Sequence, residues 1–386
     1  MEEQYTISEK LKKITYVLMG IGALTFSVGL FLNPAQSWAN FLLNNYYFLS
    51  LSIGAIFFIA IQYITQSGWS AMFKRIPEAM GGYFPVAAVA MLILMLGSHS
   101  IYHWTHSEQL ADDTAVAHKL NYFTIPFFII RIILFFAAWI YLFSLLRKES
   151  IKEDLNGGLE SFHKSEFYSK VFIFVLALTF SLGTIDWIMS IDIHWYSTIF
   201  AVTNLVSAFY HASAFITLVV ILLNEKGFFK FLNKDHLHDF SKYIYILGII
   251  WVYFWFSQYL LMWYANIPEE TIYYVKRVQG NWKILFYLNI LLNWAIPFIV
   301  LLPNKACKNK TVLKTICLIL IIGQWVDLYL QIMPGSVGEF HLGIIELGMF
   351  LGFLGLFIFI FAKTLRKASL IPKNHPYLEE SMYHHI

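Results

Sequence analysis

Charge is what this sequence has least of. Only 13% of its 386 residues are Asp, Glu, Lys or Arg, about half the ~25% of a soluble domain. That shortage excludes a disordered chain, a nucleic-acid binder and an ordinary soluble enzyme. The formal net charge of +3 is too small to argue for an anionic partner. Cysteine is nearly missing as well: Cys307 and Cys317 stand alone, with no CxxC or CxxCH. This polypeptide is therefore expected to hold no thiolate-ligated iron–sulfur cluster, no covalent c-type haem and no other metal. A secretory leader is not expected either. Met1-Glu2-Glu3-Gln4 is acidic, and the first apolar stretch is too long for a leader and has no small-residue cleavage site after it, so it reads as a retained anchor.

Apolar residues fill the gap, at 58% of the chain with 18% aromatic and a mean hydropathy of +0.61. A helix crossing hydrocarbon needs about 20 largely apolar residues. Ten stretches qualify, at roughly 14–32, 46–64, 84–104, 122–146, 168–190, 197–223, 243–265, 282–302, 312–332 and 341–365. No period-two alternation points to a barrel. The expectation is an all-α, polytopic membrane protein forming one domain over 1–386, in contact with membrane lipid. Residues 147–167 read as its longest connection, a charged loop containing glycine.

Basic residues orient it. Nineteen Lys and Arg fall in segments on the side of the N-terminus, against Lys119, Lys276 and Arg277 on the other. Both termini are expected in the cytoplasm.

Ionisable groups inside a span are costly and hence candidates for function. They are Arg131, Asp186, His211, Asp327 and Glu346, joined by the uncharged Gln258, Asn289, Asn293, Gln324 and Gln331. Counted along their helices, most lie in the half opposite the termini, and the other half reads as nearly pure hydrocarbon. Gln324, Asp327 and Gln331 follow i, i+3, i+7 spacing and share a helix face. This pattern fits a proton half-channel opening outward, and equally a set of polar side chains that hold helices together. An arginine stays charged, so Arg131 requires a carboxylate, carbonyls or a ligand oxygen. His99 and His103, one turn apart beside Trp104, are candidates for hydrogen bonds to a quinone at the outer interface. Only His211 is well centred, which argues against a bis-histidine haem. No catalytic residue set is evident.

Several segments together resemble one family. They are Asp186 to Phe200, Ile101 to His106, Lys119 to Arg131, Phe256 to Thr271, Gly323 to Asp327, and Glu346 to Gly352. Their order and spacing resemble the polysulfide-reductase-like (NrfD-type) membrane subunits of alternative complex III, a respiratory quinol:cytochrome c oxidoreductase. The shorter of its two paralogous ten-helix subunits is the nearer likeness. The resemblance implies two related four-helix bundles with flanking helices, in a bacterial inner membrane. It implies partners: an iron–sulfur periplasmic subunit, the paralogous quinol-oxidising subunit, c-type cytochrome subunits carrying haem, and a terminal oxidase as acceptor. Menaquinone or ubiquinone is the implied quinone. Arg131, Asp186, Asp327 and Glu346 occupy motif positions and carry over a proton-path role, and His103 falls in a segment near the longer paralogue's pocket. Two other classes remain open, a secondary transporter of a small substrate and a purely structural anchor for peripheral redox subunits. A transporter is expected to show matched mid-membrane helix breaks, and the prolines here supply none.

Overall fold

A computed structural model describes residues 5–106 and 114–385; the acidic Met1–Gln4 lies outside them. Among the described residues the regular structure is entirely helical, and ten helices are long and apolar enough to cross a membrane. We label them with one surface helix in chain order. They are α1 (Glu9–Leu32), α2 (Pro34–Ile64), α3 (the kinked run Ala71–Ile101), α4 (Ile125–Asn156), α5 (Glu160–Trp187) and α6 (Ile199–Glu225). The rest are α7 (Lys234–Ala265), the short amphipathic α8 (Pro268–Val278), α9 (Trp282–Leu301), α10 (Lys310–Ser336) and α11 (Ile344–Leu365). Ten crossings bring both termini to one end of the molecule. This is a multi-pass membrane protein.

Helix contacts sort the spans into two groups of four, α2–α5 and α6, α7, α9, α10, with α2 against α6 at the centre and the α1–α11 pair on the flank. Burial follows that order: 78% and 72% of the most apolar stretches of α2 and α6 are buried, against 17% in α1. Outward-facing side chains such as Phe31 and Leu24 are apolar and exposed, as lipid contact requires. Small residues set the closest approaches, because helices in lipid gain mainly from dispersion and tight packing. A Cβ on Gly54 of α2 would lie 2.0 Å from the Ala208 carbonyl oxygen of α6, and one on Gly22 of α1 would lie 2.4 Å from Gly352 Cα of α11.

Several helices start or end well outside the expected stretches, α3 at Ala71 and α7 at Lys234 among them, and two further boundaries show why. Helix α2 begins at Pro34, twelve residues ahead of the 46–64 stretch, with Asn33 Oδ1 capping Gln36 N at 3.1 Å. The polar run it absorbs is buried and bonded: Asn40 and Asn44 donate to carbonyls one turn back, at 2.9 Å each. Second, 147–167 is not a loop. Helix α4 continues to Asn156 and α5 starts at Glu160, and the chain turns on Gly157 and Gly158 at φ 64° and 76°, values natural to glycine.

The end nearest the termini holds a buried cluster of paired charges, in segments the sequence reading places outside the spans. Arg75 Nη1 donates to Glu78 at 2.7 Å and to Ser150 Oγ at 2.8 Å. Lys74 pairs with Glu153, Arg75 with Asp154, and Arg147 with Glu78. Balanced pairing lets these charges be buried, since an unpaired ion there is prohibitive. The C-terminal segment straps across this end: Lys373 N donates to Asp154 Oδ1 at 3.0 Å, Ser381 Oγ to Trp69 O at 2.7 Å, and Asn233 Nδ2 to His384 O at 2.6 Å.

Candidate functional site

The intramembrane polar residues fall into four separate clusters. In the first bundle, Arg131 Nε on α4 donates to Asp186 Oδ2 on α5 at 2.6 Å, and both are buried. The guanidinium also lies over the rings of Tyr122 and Phe127, 4.0 and 4.3 Å from their centroids. The arginine has thus found the carboxylate that it requires.

Glu346 sits in the first turn of α11, where it caps its own helix: Gly343 N donates to Oε2 at 2.8 Å. Its other oxygen accepts from Gln36 Nε2 at 2.6 Å and Asn40 Nδ2 at 2.9 Å, both on α2. His211 lies against the Tyr47 ring, with centroids 4.4 Å apart, and its Nε2 has no hydrogen-bond partner among the described residues. Tyr47 Oη in turn donates to Ile321 O at 2.7 Å.

The fourth cluster is the most developed. Asp327 on α10 accepts from Asn289 Nδ2 at 2.8 Å and from Gln331 Nε2 at 3.0 Å. It makes no ion pair among the described residues. The network runs deeper: Asn293 Nδ2 donates to Asn289 Oδ1 at 2.6 Å, and Gln324 Nε2 to Asn293 Oδ1 at 2.9 Å. The i, i+3, i+7 face predicted for Gln324, Asp327 and Gln331 is therefore assembled, with the α9 asparagines as its links. A wide, π-type turn at Leu291–Ala295 carries Asn293, and such turns recur at functional positions. Pro297, four residues on, has no N–H for the Asn293 carbonyl. Tyr210 Oη of α6 donates to that oxygen instead, at 2.9 Å. Gly323 makes the approach possible, since a Cβ there would stand 2.7 Å from Asn293 Oδ1.

Beside Asp327 lies a cavity of ≈ 40 Å³ lined by Thr203, Gln258, Asn289, Gln331 and Arg277 among aromatic rings. Gln258 Nε2 and Gln331 Oε1 are buried without a hydrogen-bond partner among the described residues. A polar space of that size accommodates water, each molecule needing ~10–15 Å³. Amides hold a carboxyl in place but do not readily pass protons on, and this space is the cavity that Asp327 itself lines.

Two residues here escaped the sequence reading, Arg277 and Asp192, which look like ordinary loop charges. Arg277 Nε donates to Leu330 O at 2.7 Å, Nη1 to Tyr273 O at 2.6 Å, and Nη2 to Gln331 O at 3.0 Å and Asp192 Oδ2 at 3.2 Å. Lys276 Nζ completes the pair from outside, 3.0 Å from Asp192 Oδ1. The signal in the sequence was the i+4 spacing of Tyr273 and Arg277 on a short amphipathic helix.

The histidine pair is a correction. The helix carrying His99 ends at Ile101, Tyr102 is extended at φ −103°, ψ 111°, and His103 opens a new turn. His99 and His103 do not share a helix face. Both are exposed, and His99 neighbours His106 instead, with ring centroids 5.5 Å apart. Trp104 is buried, stacks on Tyr102 at 5.2 Å, and donates to Ser190 Oγ at 3.2 Å, so its ring faces are committed to packing.

Among the described residues no group of three or more His, Cys, Asp or Glu is placed to hold a metal ion. No protein-family model matches this chain, and no curated protein matches it.

Proposed function

We propose that this chain is a membrane subunit of a quinol-oxidising respiratory complex of the alternative complex III type, supplying a proton half-channel toward the periplasm and a scaffold for redox partners. The observation that carries the reading is Asp327: a buried intramembrane carboxyl, without an ion-pair partner among the described residues, beside a small cavity whose wall includes Gln258, Asn289, Gln331 and Arg277. Asp186 and Glu346 are supports by comparison, one neutralised by Arg131 and the other capping a helix. The resemblance of the Asp186 to Phe200 and Phe256 to Thr271 segments supplies the respiratory context. Iron–sulfur clusters and c-type haems belong to the partner subunits in this reading, and menaquinone or ubiquinone supplies the electrons.

Asp327→Asn keeps the size and one acceptor of the side chain but exchanges no proton. In the purified complex reconstituted into liposomes, it is expected to lower protons released per electron. Glu346→Gln is expected to change that ratio little. An unchanged proton yield and turnover in Asp327→Asn would remove the proton role. Purification of the chain free of haem-containing partners would remove the respiratory context and favour a transporter.

A further inference from the structure

Besides Asp327, the cavity wall carries one Asp, Glu, Lys or Arg among the described residues, Arg277, and that residue is held unusually tightly. Four hydrogen-bond acceptors surround its guanidinium, three of them main-chain carbonyls of α8 and α10. Its carbon lies 3.4 Å from the centroid of the Tyr273 ring, and Tyr273 is stacked on Trp195 at 3.8 Å and 11°. The arginine is 3% exposed, although it belongs to a short surface helix. On its far side Asp192 is in contact with the exposed Lys276. Cavity, guanidinium, carboxylate and surface thus follow one another in line.

Each part has a fitted seat. Gln331 serves both sides of the guanidinium: its side chain donates to Asp327, and its carbonyl accepts from Arg277. Asp192 rests in a notch left by Gly335, where a Cβ would stand 2.9 Å from Asp192 Oδ2 and 2.9 Å from Ile191 Cγ2. A residue whose only task were to neutralise Asp192 would not need to reach into the cavity wall.

We propose that the Arg277–Asp192 pair is the outer gate of the Asp327 cavity, closed by the guanidinium when the pair is made and opened when the guanidinium swings off its carbonyl seat. The gate rests on the reading of Asp327 as a proton-exchanging group and adds its control. A proton leaving the Asp327 carboxyl passes to water in the cavity and then to the Asp192 carboxylate. Asp192 releases it to the outer aqueous phase, and no electron moves. Burial raises the pKa of Asp192, but Arg277 and then Lys276 more than offset this, so it lies below the ordinary carboxylate value. Asp192 is therefore ionised at neutral pH while the pair is made; it takes up a proton only once the guanidinium has swung off, and the return of Arg277 then drives that proton out to the aqueous phase. The positive guanidinium also opposes entry of a cation from outside while the gate is shut.

Access to the cavity is measured without turnover. In the intact complex, with Cys307→Ala and Cys317→Ala, a Thr203→Cys thiol in the cavity wall is alkylated with iodoacetamide, a small neutral probe, and followed by intact mass. With Arg277 present the thiol is expected to react slowly, and Arg277→Ala is expected to speed it at least about tenfold, the change for a ~1.4 kcal/mol shift in gate opening. Gly335→Ala, which displaces the Asp192 carboxylate and so removes one of the four acceptors that hold the guanidinium on its seat, is expected to accelerate it as well and serves if the arginine variant fails to assemble. Unchanged alkylation in either variant that assembles overturns the gate. Faster alkylation combined with a normal proton yield in Asp327→Asn keeps the gate and discards the proton role.

Discussion

Replacing Gly54 by alanine tests the packing on which both bundles depend. The new Cβ would stand 2.0 Å from the Ala208 carbonyl oxygen, 2.5 Å from its carbon and 2.9 Å from Ala212 Cβ. Ordinary contact begins at 3.4 Å, so α2 and α6 must separate by about 1.4 Å at their crossing. Two of the three obstructing atoms are backbone and cannot rotate away. Overpacking of this kind costs about 1–3 kcal/mol, and the rigid neighbours place Gly54→Ala near 3. Alanine returns about 1 kcal/mol through better helix propensity, leaving a net loss of about 2. Gly20 on α1 is the control, because a Cβ there meets nothing within 4 Å. Gly20→Ala keeps the propensity gain alone and is expected to stabilise by up to about 1 kcal/mol. Thermal unfolding in detergent, read by the loss of the monodisperse peak after heating, is expected to show opposite signs for the two substitutions. Equal tolerance of both would refute the close crossing of α2 and α6.

The ion pair Arg131–Asp186 is buried on both sides, so Asp186→Asn alone leaves an uncompensated guanidinium and is expected to cost about 3–5 kcal/mol. Adding Arg131→Gln is expected to recover most of that loss in the same thermal assay, and strictly additive losses would show that the two residues do not act as a pair. At the other end, burial and then the Lys74 charge lower the pKa of His375 from 6.5 to about 2, with Arg75 acting the same way and Glu78 opposing. The docked strap therefore binds fewer protons than the released one below about pH 6.5, and its release becomes easier by up to ~1.4 kcal/mol per pH unit as pH falls. Amide exchange over residues 373–385, corrected for intrinsic rates, is expected to be faster at pH 5.5 than at pH 7.5, and a His375→Phe variant is expected to reduce the difference. Identical protection at both pH values would rule out this linkage.

The ten spans were legible in the sequence because apolar length over a lipid thickness is a local property. The Gln324, Asp327 and Gln331 face was legible too, since helical periodicity alone brings those residues into line. Helix α2 shows where local reading stops. Gln36, Asn40, Asn44 and Asn45 make its first turns look too polar to be membrane helix, and only their partners show otherwise: Glu346 from α11, Trp325 from α10 and the Ala87 carbonyl from α3. Lys74, Arg75 and Glu78 were likewise assigned to a connection, because their neutralising partners lie 69 to 79 residues away on α4. Arg277 and Asp192 are separated by 85 positions. In each case the missing information was who pairs with whom across the bundle, which composition and period do not record. His99 and His103 failed for a different reason, since a single extended residue, Tyr102, removes the periodicity that the spacing assumed.

The crossing of α1 on α11 bears on how the molecule matures. Gly22, Gly348, Gly352 and Gly355 make a surface on which two backbones nearly touch, but its two halves are more than 300 residues apart in the chain. Until α11 is in place, the main helix contact of α1 among the described residues is with α2, and its outward side is covered by lipid. Contacts between distant segments form after the loop between them is closed. The central bundles can therefore settle while α1 waits as a loosely held helix, and α11, arriving later, brings Gly348, Gly352 and Gly355 against the side of α1 that carries Gly22. Lengthening the side chains on that surface would leave the bundles intact and strand the first helix in the lipid, separating a failure of assembly from a failure of the proton-handling core.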